Sequence, residues 1–159
     1  MASSTYLIAI GSNRRGRHGA PADEVRAGIA ALGGVIAASP VTDTPAIGPS
    51  IRRFANAACV VESDEAPPVL LARLKSIERD FGRRRGQRWG SRVIDLDIIL
   101  WSGGGWASPG LVVPHIGFRV RDFVIGPAAS IAPDWRDPIT KLTLRQLRAR
   151  LTRRTRPPR

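Results

Sequence analysis

Two aspartates, Asp95 and Asp97, flank Leu96 inside the otherwise apolar run 93–100. Read as a strand, this run alternates: Ile94, Leu96, Ile98 and Leu100 share one face and both carboxylates point from the other. Carboxylates side by side repel, and burying them unpaired is costly. Strand rise separates their Cα atoms by about 6.6 Å, which lets the side chains converge on one divalent cation. A pair of cations roughly 3.5–4 Å apart fits the same spacing. Oxygen donors favour Mg²⁺ over zinc. A solvated acidic face on an edge strand, or carboxylates paired with nearby arginines, accounts for the same residues.

The preceding stretch adds the opposite charge. Arg83, Arg84, Arg85, Arg88 and Arg92 stand a few residues before the acidic pair, interleaved with Gly82, Gly86 and Gly90, so 82–92 reads as a loop. Metal-ready carboxylates on one side and arginines on the other are the apparatus for handling a triphosphate. Trp89 offers a flat face to a heteroaromatic ring. An arginine-rich, RNA-binding loop is the competing reading; it predicts salt-sensitive affinity and no ATP breakdown.

Further along, His115 follows Val113-Pro114, and Arg121 and Phe123 add a phosphate donor and an aromatic face. Asn56 can donate and accept at the hydrogen-bonding edge of a pterin-like ring, and Phe54 shares its strand face. Gly11-Ser12-Asn13 reads as a tight turn. Lys75 and Glu78 have the spacing of a surface pair on a helix. His18 has no evident partner.

These residues need a scaffold. Run 6–10 reads as a strand. A helix opens at Pro21 and ends at Gly33-Gly34, and a second strand covers 35–38. Residues 44–49 read as loop. A third strand over 54–62 places Phe54 and Asn56 opposite Ala55, Ala57, Cys59 and Val61. A helix runs from Pro67-Pro68 to Gly82, and 93–100 is the fourth strand. Gly103-Gly104-Gly105 is a turn, the stretch after Leu111 is irregular, and helices are expected over 123–131 and 143–151. Strand, helix, strand, strand, helix, strand is the split β-α-β order of an α+β, ferredoxin-like sandwich: a mainly antiparallel sheet with helices packed on it.

The 159 residues fit one domain over 1–152 with a basic, disordered tail at 153–159. No apolar stretch is long enough to span a bilayer and no signal peptide is evident, so a cytoplasmic protein is expected. Cys59 is the only cysteine, which rules out an intrachain disulfide. The net charge is +12, and only Lys75 and Lys141 of the 25 basic residues are lysine. Such a surface attracts polyanions, and arginine binds phosphate through a planar fork. A nucleotidyltransferase pairing Gly-Ser with Asp-x-Asp is disfavoured, because Gly11-Ser12 lies far upstream of Asp95.

The segments Ala9-Ile-Gly-Ser-Asn13, Thr44-Pro-Ala-Ile-Gly-Pro49, Phe54-Ala-Asn-Ala-Ala58, Gly82-Arg83, Arg88-Trp-Gly90 with Arg92, Asp95-Leu-Asp-Ile98 and Val113-Pro-His115 resemble, in order, the 6-hydroxymethyl-7,8-dihydropterin pyrophosphokinases. The resemblance extends to about Leu151. It implies transfer of pyrophosphate from ATP to the pterin hydroxymethyl oxygen in folate biosynthesis, with AMP released. It implies two Mg²⁺ ions bridged by Asp95 and Asp97, and catalytic roles for Arg83, Arg85 and Arg92. The pterin pocket maps onto Thr44, Pro45, Ile47, Phe54, Asn56, Trp89, Asp95 and Phe123. The ATP side maps onto Lys75, Glu78, Arg83, Arg85, Trp89, Arg92, Ile98, His115 and Arg121. Expected partners are these small molecules alone, with no nucleic acid, no membrane and a monomeric chain. Ser91 and Ile116 stand where the family commonly has proline, Lys75 where many relatives are neutral, and Gly110 and Val112 where some are polar.

Overall fold

The computed structural model of the chain describes residues 2–44, 53–82, 92–155 and 157–158. Its centre is β1 (Ser4–Ser12), whose residues Tyr6 to Ile10 are apolar and buried. An unbroken apolar run is what a strand covered on both faces requires. The next elements in order are α1 (Pro21–Leu32), β2 (Val35–Ala38), β3 (Thr42–Thr44), β4 (Phe54–Ser63), α2 (Pro67–Gly82) and β5 (Asp95–Trp101). The sheet order is β2-β4-β1-β5, every pairing antiparallel. β3 continues β2 along the same edge of β4. This is the expected ferredoxin-like order with one short strand added.

One face of the sheet packs on α1 and α2 around Val25, Leu70, Leu74 and Phe81, against Ile8, Ile10, Cys59, Val61, Leu96 and Ile98. The other packs on a 3-10 turn (Phe118–Val120), α3 (Asp122–Ile131) and α4 (Leu144–Thr155), through Phe118, Ile125, Ala128, Leu144 and Leu147. Burial pushes the Cys59 thiol up to about 12, so it stays protonated and inert at neutral pH.

Five expectations are corrected here. The fourth strand starts at Asp95 rather than 93. Leu100 does not share a face with Leu96 and Ile98: the β1–β5 register shifts between Leu7 and Ile8, so Ile99 and Leu100 both enter the α3–α4 core. Such a bulge reverses the alternation beyond it. Thr44, read as loop, ends β3, and the irregular stretch holds a small hairpin, β6 (Trp106–Ser108) with β7 (Leu111–Val113). Finally, α4 runs past Leu151 to Thr155 and carries Arg153 and Arg154 in its last turn, so the expected tail begins inside a helix. Cations there suit the helix dipole.

Among the described residues no helix is long and apolar enough to cross a membrane.

Candidate active site

Antiparallel register lines up one row across four strands. Thr42 of β3 pairs with Asn56 of β4, Asn56 with Gly11 of β1, and Gly11 with Asp95 of β5. Opposed residues share a face, so this row forms the floor of a cleft of about 1050 Å³ on the α3 side of the sheet. Two strand spacings put Asn56 about 10 Å from Asp95, the length of a small bicyclic ring with a short arm. Gly11 keeps the floor flat between them, because a Cβ there would come within 3.0 Å of Asn56 Oδ1.

The walls hold two aromatic rings, Phe54 at 42% and Phe123 at 48% exposure. Phenylalanines left this open in the lining of a cleft are surfaces that lack a flat apolar partner. Phe54 sits opposite Thr44 at the start of β4, and Phe123 in the first turn of α3. Arg121, the N-cap of α3, also lines the cleft. Its guanidinium lies over Gly117, where a Cβ would meet it at 3.1–3.2 Å.

Asp95 and Asp97 both open into the cleft, while Leu96 and Ile98 between and after them are buried, as alternation requires. Asp95 Oδ1 accepts a 3.3 Å bond from exposed Arg92 Nη1, an ion pair worth little in water. No third His, Cys, Asp or Glu joins the aspartates among the described residues. Two carboxylates with free lone pairs fit a hard divalent ion that completes its shell with phosphate oxygens and water.

Other anticipated residues sit around this cleft rather than in it. Glu78 on α2 accepts the Leu96 N–H at the free edge of β5, at 3.4 Å, instead of pairing with exposed Lys75. Burial raises its carboxyl above the usual range; the Leu96 N–H and Arg92 oppose this, and Asp95 and Asp97 reinforce it. The His115 N–H donates to the Ile99 carbonyl at 3.1 Å, strapping the residues after β7 to the same edge. Its Nδ1 accepts the Gly117 N–H at 3.1 Å, which leaves the neutral ring's proton on Nε2. Ile98 is 3% exposed in the α1–α2 core and does not line the cleft. Arg83, Arg85, Trp89, Pro45 and Ile47 lie outside the described residues.

The cleft also has lining residues that sequence reasoning passed over. Ser39, Pro40, Thr42, Ser130 and Arg148 line it toward β3 and α4. They come from three separate segments, 39–42, α3 and α4, and only the packing of α3 and α4 across the sheet brings them together. Gly11 and Ser12, read as part of a tight turn, instead end β1, and the buried Ser12 hydroxyl donates to the Val93 carbonyl at 2.7 Å, joining the end of β1 to the approach of β5.

Residues 7–133 match the profile of the 7,8-dihydro-6-hydroxymethylpterin-pyrophosphokinase family. The chain belongs to that family. A pyrophosphokinase of this class from Pseudomonas aeruginosa, 2-amino-4-hydroxy-6-hydroxymethyldihydropteridine pyrophosphokinase, is 36% identical over 137 residues, 82% of each chain. The enzyme of the same name from Synechocystis sp. is 39% identical over 102 residues, 64% of this chain and 52% of that one. The match thus spans about half the length of some of these relatives and most of others. Wild-type HPPK-DHPS of Plasmodium falciparum, solved with STZ-DHP, superimposes with a TM-score of 0.73 at 12% identity, over 96% of this chain and 44% of that one. At that identity the likeness speaks for the fold, and it agrees with the α+β sandwich described above.

Proposed function

We propose that this chain transfers pyrophosphate from ATP to 6-hydroxymethyl-7,8-dihydropterin, giving AMP and the pterin pyrophosphate. The observation that carries this is the row Thr42–Asn56–Gly11–Asp95 in a cleft also lined by Phe54 and Phe123, with two carboxylates at the β5 end of the row. A pterin would stack between the phenylalanines and present its amide edge to Asn56. Its hydroxymethyl arm would then extend over Gly11 toward Asp95.

The pterin oxygen attacks the β-phosphorus of ATP, and the bond from that phosphorus to the AMP oxygen breaks. Asp95 and Asp97 would hold Mg²⁺, one ion or two. A bound divalent cation supplies phosphate charge neutralisation and eases formation of the attacking alkoxide. No covalent nucleophile of the protein is required, so positioning and charge complementarity dominate. Arg92 and Arg121 would meet phosphate oxygens, and His115 Nε2 would donate to them. The family resemblance adds Arg83 and Arg85 to the charge-stabilising set. It also adds Trp89, Pro45 and Ile47 to the ligand pocket and Lys75, Glu78 and Ile98 to the nucleotide side. We further propose that the chain acts as a monomer on small molecules alone, in the cytoplasm.

Incubation with ATP, Mg²⁺ and the pterin, followed by product analysis, tests the reaction. AMP that depends on the pterin, one per pterin pyrophosphate, is the expected outcome. Release of pyrophosphate would instead indicate nucleotidyl transfer. No AMP above a protein-free control, from folded protein, would overturn the reading.

The pterin end has its own expectation. Phe123→Ala should raise the KM for the pterin about tenfold, the worth of one stacked ring face, with a smaller effect on the KM for ATP. Gly11→Ala should act in the same direction by pushing on Asn56. Steady-state kinetics with each substrate varied in turn checks both, and a larger effect on ATP than on pterin would contradict this placement.

A further inference from the structure

Glu24 is a carboxylate with no exposure to water, on the first half of α1 and away from the cleft. A buried carboxylate needs a reason. Both its oxygens are taken by one residue: Oε1 accepts the His18 backbone N–H at 2.7 Å, and Oε2 lies 2.8 Å from His18 Nδ1. His18 is 34% exposed at its side chain. Its ring lies against Phe81, with centroids 4.8 Å apart, near the end of α2. The neighbouring Arg17 reaches Asp80 at 3.0 Å and lies over the same Phe81 ring.

The same segment is fastened at its other side to the approach of β5. Ser12 donates to the Val93 carbonyl. Gly16 presses between Glu24 and Val93: a Cβ there would fall 2.5 Å from Glu24 Oε1 and 2.7 Å from Val93 Cγ1. Paired hydrogen bonds between Gly16 and Gly19 close the turn. Residues 12–19 therefore form a bracket joining the end of α2 to the residue two before Asp95. Ser12 and Asn13, which line the cleft, belong to it. The Glu24 carboxylate, fully buried, is the anchor to which His18 is fastened.

We infer that Glu24 and His18 form a positioning unit for the acidic, triphosphate end of the cleft. This rests on the pyrophosphoryl-transfer reading above. Neither residue touches substrate. They hold the bracket, and the bracket fixes Val93 and so the entry of Asp95 and Asp97 into the cleft. Phe123 stands on α3, and Phe54 and Asn56 on β4, which the bracket meets only through Ser12, itself held to Ala55 by the β1–β4 ladder rather than by Glu24 or His18. Loosening it should therefore separate the two substrates' responses. General destabilisation would not.

The test compares wild type with Glu24→Ala, which strips both acceptors from His18, and Glu24→Gln, which keeps one acceptor. Binding of Mg²⁺ with α,β-methylene-ATP is measured by calorimetry. In Glu24→Ala the dissociation constant should rise about tenfold, the scale on which supporting partners tune a metal site. The KM for pterin at saturating ATP should stay within about twofold, and Glu24→Gln should recover most of the nucleotide affinity. Equal losses for both substrates, or a lowered Tm with unchanged nucleotide binding, would overturn the inference. If Glu24→Ala does not fold, His18→Ala is read by the same criteria, since it keeps the backbone N–H to Glu24. Wild type that forms no AMP would defeat the functional reading itself. Active wild type matched by every variant would defeat only the bracket.

Discussion

Asp97→Asn is expected to lower kcat by two to three orders of magnitude, about the range seen when one preorganised charge stabiliser is removed. The change keeps shape and removes charge. Asp97 is an exposed residue of β5 opposite Ala9, so its loss should leave stability within about 0.5 kcal/mol. The effect on turnover is then attributable to chemistry. Asp95→Asn should behave alike, with a further loss of pterin affinity because Asp95 ends the row that begins at Thr42. With only two carboxylates gathered among the described residues, neither can be replaced by a neighbour. The measurement is kcat across a Mg²⁺ titration. A variant that keeps most of its kcat at saturating Mg²⁺ would remove these residues from the metal site. Chelation of divalent ions should likewise abolish turnover in wild type, and added Mg²⁺ should restore it.

The largest effect on stability is expected from Asp137→Ala. This carboxylate is fully buried and accepts from Arg119 Nε at 2.6 Å, Arg119 Nη2 at 2.9 Å, Thr140 Oγ1 at 2.7 Å and the Ile139 N–H at 3.0 Å. It ties the turn carrying Phe118 to the loop ahead of α4, and thus closes the α3–α4 layer. Removing it strands a largely buried guanidinium, at a cost of about 3 kcal/mol. For a chain of this length that is roughly 6–12 °C in Tm.

The same group gives a pH dependence of known sign. Burial alone would raise the Asp137 carboxyl, but the Arg119 fork, Thr140 and Ile139 outweigh it and hold the group down at about 2, against an ordinary 3.8. The folded state thus binds this proton less tightly than the unfolded state. Its contribution, about 2 kcal/mol, is complete above pH 4 and is lost as pH falls through 2. Wild type should therefore lose more stability between pH 5 and pH 2 than Asp137→Asn does. Denaturant midpoints at the two pH values measure the difference, and parallel losses would show that Asp137 is not the group responsible.

Much of the scaffold could be read from local pattern, because local physics is sufficient where elements are long. α1 begins at Pro21 and stops before Gly33-Gly34, and α2 spans Pro67 to Gly82, as proline at the start and glycine at the end demand. Alternation in β4 placed Phe54 and Asn56 opposite Ala55 and Ala57, and alternation in β5 placed both aspartates together. Those two patterns, with the motifs around them, were enough to indicate the chemistry.

Short elements escaped. β3 is Thr-Asp-Thr with every residue exposed, and β6 and β7 have three residues each, too few to display a period. The turn of Leu100 into the opposite core could not be read either, since a bulge depends on how two strands match, not on either strand alone. His18 had no visible partner because Glu24 meets it only after residues 16–19 double back. Asp137 is an ordinary polar residue in sequence and becomes a buried anchor only when Arg119 is folded onto it.

Sequence by itself determined the residue types of the site, the face of β5 that carries Asp95 and Asp97, and the order of strands and helices. Tertiary structure alone decided that Asn56, Gly11 and Asp95 form one row, that Phe54 and Phe123 flank one cleft, and that the bracket of residues 12–19 sits against β5. Register between strands and the docking of a helix on a sheet are set by the summed burial of many distant side chains. No window along the chain contains that sum.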